Sequence, residues 1–284
     1  MALRSTGISL IRAYDCRIFV DSLQEKAARD PCSPTERNSM HPALSISVIT
    51  HKTVLMQQIQ NYARVGYHFY HTGVVSPKAA LSWARKADRY YAVSLDRNRR
   101  ARAKRLGEGC AILLLHEIEN CGKLWWILMV TPPSRSHPAH QLEPLKNAFD
   151  SRSRIQITGY ELCHLTKKGV AGIPVLSWRM TADAYEARRE AIIDTVRRGS
   201  PLEMRRLIVS LWRSPGFFGI RQQVGHCVQL LRAEFRRRRP SQAMPRMPNR
   251  LLYLSRLAVV AVPLSTWVAN QSVRVRDAMW EGSA

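Results

Sequence analysis

The stretch CAILLLHEIENCGKLWWILMV (110–130) limits the fold most. Two apolar runs flank a short Asn120-Cys121-Gly122-Lys123 turn, the pattern of a β-hairpin. The neighbouring segments have to be arranged around that hairpin. Before it, GYHFYHTGVV (66–75) has strand character, and SPKAALSWARKADRYY (76–91) opens with Ser76 at a helix cap and Pro77 in the first turn. After the Pro-rich loop TPPSRSHPAH, QLEPLKNAFD (141–150) reads as a helix and RIQITGYELCHL (154–165) as a strand. Strand, helix, strand, strand, helix, strand is the split βαβ order of a ferredoxin-like fold. The expected class is therefore α+β, a ferredoxin-like antiparallel sheet core followed by a helical C-terminal region.

Four segments follow from the same reading. Residues 1–50, with the breaker-rich RDPCSPTERNSMHP, form a poorly structured extension. Residues 51–180 hold the α+β core, with GIPVLSWRM (172–180) adding a strand through the TKKGVAG turn. Residues 181–240 are helical and end on a basic cluster, and 241–284 form a tail with an apolar segment. Because Met40 precedes a clearer pattern, residues 1–39 are open to being an overlong gene start. The paired stretches EMRRLIVSLWRS and GIRQQVGHCVQLLRAEF read as an αα-hairpin, with a DNA-reading helix-turn-helix as the alternative. The tail segment LLYLSRLAVVAVPLSTWVA (251–269) is interrupted by Arg256. Its clean apolar run falls short of the roughly 20 residues a membrane span needs, so core packing is expected.

Charge points to the partner. The chain carries 44 Lys plus Arg against 21 Asp plus Glu, a formal charge of +23. Such a field concentrates polyanions, and each neutralised phosphate releases counterions. The densest stretch, SLDRNRRARAKRLG (94–107), has helix-capping residues in Ser94 and Asp96 and a left-handed stop in Gly107. Helical rotation spreads Arg97, Arg99, Arg100, Arg102, Lys104 and Arg105 around nearly the whole circumference. With no apolar face to dock, phosphate contact is the favoured reading, over a solvated linker helix. A second cluster, Arg236, Arg237, Arg238 and Arg239, offers phosphate contacts or caps its own helix end. On the strand GYHFYHTG, alternation puts Tyr67, Phe69 and His71 on one face, a candidate base-stacking platform or simple core filling.

Several chemistries find no motif. The six cysteines at 16, 32, 110, 121, 163 and 227 show no CxxC pair and read as reduced, cytoplasmic thiols. His68 and His71, like His137 and His140, are three apart and diverge on a strand; in the Pro-rich loop the second pair could converge on zinc, but no nearby Cys or acid completes a tetrahedral set, so surface histidines are expected there. No P-loop, GxSxG or HExxH occurs. No cofactor or metal is expected, and binding is expected ahead of catalysis.

Two resemblances extend this reading. In charge and inferred fold order the chain resembles the CRISPR repeat-processing endoribonucleases, and PGFFGIRQQVG (215–225) is similar to their glycine-rich loop. That likeness implies metal-independent RNA cleavage by general acid–base chemistry, without assigning a catalytic histidine. Over roughly residues 55–240, YARVGYHFYHTGVV, LDRNRRARAKRLG, LWWILMVTP, ITGYELCH and LWRSPGFFGIRQQVGHCVQLLRAEFRRRR together resemble a broad family of uncharacterised bacterial proteins met on plasmids and other mobile elements. This implies a bacterial cytoplasmic setting and the DNA or RNA metabolism of mobile elements, with ribonucleoprotein partners within reach. The expectation is a nucleic-acid-binding protein of a mobile element, DNA and RNA both included. A metal-independent endoribonuclease is the first alternative and a membrane-associated or structural protein the second.

Overall fold

The computed structural model describes residues 46–118, 121–166, 174–248 and 250–271. The N-terminal extension expected over 1–50 therefore lies almost wholly outside the described residues, as does most of the TKKGVAG turn. The hairpin is present as β3 (Ala111–Glu117) and β4 (Leu124–Val130), with Ala111 opposite Val130 and Glu117 opposite Leu124. Strand β2 (Phe69–Val75) lies antiparallel along the other side of β4. Thus β2 and β3 run parallel with β4 between them, and the crossover is made by α2 (Pro77–Tyr91) and α3 (Arg97–Arg105). The short β5 (Lys146–Asn147) continues the sheet beyond β2. At the other edge, β1 (Ser47–Ile49) pairs parallel with β3, and β9 (Ala261–Pro263) pairs antiparallel with β1. The class is α+β, built on a six-stranded mixed sheet in the order β5-β2-β4-β3-β1-β9.

Alternation along β4 sends Ile127 and Met129 to one face and Leu124, Trp126, Leu128 and Val130 to the other, and all six are buried. Both faces are therefore covered. On the second face lie Ala80, Trp83, Ala84, Ala87 and Tyr91 of α2, joined by Leu264 and Trp267 of a helical run over 264–271. Gly73 lies under the Trp126 indole, where a Cβ would come within 2.6 Å of the ring. On the first face, α1 (Lys52–Arg64) buries Val54, Leu55, Met56 and Ile59.

A second, antiparallel sheet packs beyond α1. It consists of β6 (Gln156–Ile157), β7 (Tyr160–Leu165) and β8 (Val175–Met180). Helices α5 (Ala182–Arg198), α6 (Pro201–Trp212) and α7 (Phe218–Arg238) complete this half. Thr181 caps α5 and a Ser200–Glu203 capping box starts α6, satisfying amide groups that a helix start leaves open. The apolar stripe of α7, Ile220, Val224, Cys227, Leu231 and Phe235, is buried. Trp178 of β8 is the seam between the halves: its side chain is fully buried and its Nε1–H donates to the Met56 carbonyl of α1 at 2.8 Å.

The chain returns to the first sheet through an extended strap. Arg221 Nε donates to the Leu251 carbonyl at 2.7 Å, Gln57 Nε2 donates to Ser255 O at 3.1 Å, and Gln57 Oε1 accepts from Leu257 N at 3.0 Å. The apolar segment 251–269 thus divides into strap, edge strand and helix. Among the described residues no helix is long and apolar enough to cross a membrane.

The structure corrects two local expectations. The helix expected over 141–150 is replaced by one turn, α4 (Ala139–Leu142), followed by β5. Pro144 is the cause: a proline disfavours the helical region for the residue before it, and Glu143 is extended at φ −118°, ψ 145°. The strand expected over 154–165 is broken at Thr158 and Gly159, both at positive φ, into a β6–β7 hairpin that belongs to the second sheet.

The two histidines of the Pro-rich loop, expected at the surface, are instead part of its framework. His137 is 9% exposed and its Nδ1 accepts from the Ala139 amide at 3.2 Å; a His140 ring nitrogen lies 2.7 Å from the Thr131 carbonyl. Burial lowers the pKa of His137, and it pushes His71 down to about 4 although the Glu143 carboxylate lies 3.9 Å away. The unfolded chain takes up these protons near pH 6.5 and the folded one only at lower pH, so stability is lost as pH falls through 6.5 toward 4. Thermal unfolding at pH 5 is expected several degrees below that at pH 7. A His137→Asn variant, which keeps an acceptor beside Ala139 but does not titrate, should show a smaller drop; an equal drop would remove His137 from this account.

Candidate nucleic-acid interface

The basic stretch is helical over α3, with the Asp96 carboxylate accepting from Arg99 N at 2.8 Å and Gly107 turning left-handed at φ +80°. Contrary to the sequence expectation, this helix has a docking face. Ala103 packs on the core, and the Lys104 ammonium sits 3.9 Å from the centroid of the Tyr67 ring while donating to the Val65 carbonyl at 3.0 Å. Burial lowers the Lys104 pKa. Arg100 turns back to the Leu95 carbonyl, and Arg135 donates to Lys104 O from the Pro-rich loop. Arg100, Ala103 and Lys104 are thus the inward positions, and Arg97, Arg99, Arg102 and Arg105 are exposed. Arg99 lies 3.5 Å from Asp96, but both side chains are well solvated and such a pair holds the guanidinium only weakly.

The second cluster is divided in the same way. Arg236, Arg237 and Arg238 are exposed in the last turn of α7, with Arg237 paired to Glu234 at 2.5 Å. Arg239 serves the fold: its guanidinium donates to Val196 O at 2.8 Å and Gly199 O at 2.6 Å, closing the C-terminal end of α5. Among the described residues no hydrogen bond or ion pair joins this cluster to α3.

Tyr67, Phe69 and His71 do not share an open face. Tyr67 precedes β2 and is 2% exposed in the core shared with α1. Phe69 packs into the opposite core beside His140, and His71 meets the Trp126 ring edge-on. The ring that does reach an opening is His68, from the other half of the alternation. It lines a cleft of about 440 Å³ with Ala63, Arg64, Phe149, His164 and Leu176. The three rings lie in series, His68 to Phe149 at 4.5 Å and Phe149 to His164 at 4.6 Å between centroids. Arg64 is anchored through one nitrogen to Leu176 O at 3.1 Å. Burial lowers the His68 pKa, with the charges of His164 and Lys104 acting in the same direction and the Ala63 carbonyl against it. Lys104, bonded to the Val65 carbonyl and set over the Tyr67 ring, fastens α3 to the segment between Arg64 and His68, two residues that line the cleft.

No protein-family model, no curated protein and no solved structure matches this chain. Among the described residues no group of three or more His, Cys, Asp or Glu is placed to hold a metal ion.

Proposed function

We propose that this chain binds nucleic acid, and that α3 is its principal phosphate-contacting element. The observation that carries this reading is the exposed set Arg97, Arg99, Arg102 and Arg105, which covers about 200° of a helix at about 100° per residue, the helix being fastened to the body by its remaining side. Guanidinium groups carried on an anchored helix meet phosphates without first losing the backbone freedom of a loose tail. The order β5-β2-β4-β3 supports reading the core as ferredoxin-like, extended by β1 and β9. The setting we infer is the bacterial cytoplasm, in the nucleic-acid metabolism of a mobile element.

Purified protein should bind labelled single-stranded and duplex oligonucleotides in low salt, with log affinity falling linearly and steeply against log salt. A curve unchanged between dilute and physiological salt would overturn the reading.

One observation favours a second reading, a metal-independent endoribonuclease: His68 and His164 share a cleft with Arg64. Two imidazoles could remove the 2′-hydroxyl proton and protonate the leaving 5′-oxygen, with the guanidinium meeting the phosphate charge. In the same preparation, labelled RNA cut in EDTA to 2′,3′-cyclic phosphate ends would support this, and intact RNA would leave binding alone.

A further inference from the structure

We infer that the His68–Phe149–His164 cleft seats an unpaired nucleotide of a single-stranded segment whose phosphates run along α3. This rests on the nucleic-acid reading above and adds the class of ligand. The cleft volume of about 440 Å³ falls within the roughly 300–1,000 Å³ of small-ligand pockets. Its distinguishing content is planar: three rings, of which Phe149 and His68 are half-buried and His164 is exposed at the mouth. Any base presents a π-face to such a ring, so the contact is tolerant of sequence. In a duplex the base faces are already covered by their neighbours, so only an unpaired base can enter.

The cations complete the site. Arg64 is exposed, lines the cleft and spends one nitrogen on Leu176 O, which leaves the other donors of its fork for a ligand. The Leu176 carbonyl already accepts from Gln60 at 2.9 Å as well, which holds this wall of the cleft in place. Lys104 of α3 donates to the Val65 carbonyl at 3.0 Å, next to Arg64 in the chain. A strand passing from the exposed arginines of α3 to Arg64 therefore keeps its phosphates beside cations while one base lies against the exposed His164 end of the ring series, which Phe149 backs. Stacking on one aromatic group changes affinity by roughly five- to a hundredfold by alanine substitution.

The test uses the full chain, at a salt concentration where the wild type binds both probes: a fluorescein-labelled oligouridylate 12-mer and a 12-base-pair duplex, read by anisotropy. Phe149→Ala is expected to weaken oligouridylate binding at least fivefold and to change duplex affinity less than twofold. His164→Ala, at an exposed position where folding is not at stake, should weaken the single strand selectively in the same direction. A 12-mer of abasic sugar-phosphate should bind wild type and Phe149→Ala alike. Equal losses for both probes in His164→Ala, no loss in either variant, or abasic binding as tight as oligouridylate would overturn the inference while leaving the binding function standing. A wild type that binds neither probe in low salt would overturn both.

Discussion

Changing Arg97, Arg99, Arg102 and Arg105 together to Gln is expected to weaken binding of every nucleic acid alike and to flatten its salt dependence. Each lost contact to a duplex phosphate should reduce the slope of log affinity against log salt by about 0.9, so loss of all four would take away most of a small interface. Folding should survive, because Gln propagates a helix nearly as well as Arg and none of the four side chains holds the helix in place. Arg100 and Lys104 are left untouched, since they fasten α3 through Leu95 O and Val65 O. The matched control removes the same charge from exposed positions elsewhere, Lys78, Arg85, Arg89 and Arg205. Equal losses in the two variants would mean that α3 supplies general charge and is no binding element.

That choice of four residues was not legible from the sequence. Helical rotation shows cations on all sides of SLDRNRRARAKRLG, and hydrophobic periodicity has no means of reporting that a lysine stem and an alanine make the docking face against a tyrosine ring. Arg239 was hidden in the same way: four consecutive arginines look alike until one of them is found closing α5. The hairpin was legible because twelve of its fourteen strand residues are apolar, which gives one signal on both faces of a sheet. The helices after residue 180 were legible because Thr181 and Ser200 cap the first two and an apolar stripe runs along the third. Strands of two or three residues, β1, β5, β6 and β9, carry too few positions for any period and are made by their neighbours. The cleft was the least accessible feature. His68, Phe149 and His164 come from the lead into β2, a loop that reads as a helix, and a strand of the other sheet; only the packing of the two sheets brings them together.

That packing depends on Trp178, and Trp178→Ala is expected to be among the most destabilising single changes in the chain. Truncating a fully buried aromatic leaves a cavity and costs about 3–5 kcal/mol, against a total stability of about 5–15 kcal/mol for an ordinary domain. The indole also spans the seam, with its N–H on the Met56 carbonyl of α1 and its ring 6.4 Å from Phe217. Few other residues could fill the space. Trp178→Phe keeps most of the ring and loses the N–H donor, so its cost should be nearer 1–2 kcal/mol. Urea unfolding of the three proteins measures both steps, and a loss below 1 kcal/mol for Trp178→Ala would show that the halves are held together elsewhere. The function should respond before the fold does. Leu176, two residues from Trp178 on β8, and His164 on β7 form one wall of the cleft, while Arg64 and His68 form the other from the side of α1 and β2. A loosened seam separates those walls and leaves α3 on its anchor at Val65 and Tyr67. In conditions where Trp178→Phe is still folded, single-strand affinity should therefore decline more than duplex affinity, since the proposed base contacts require both sheets and the proposed phosphate contacts only one.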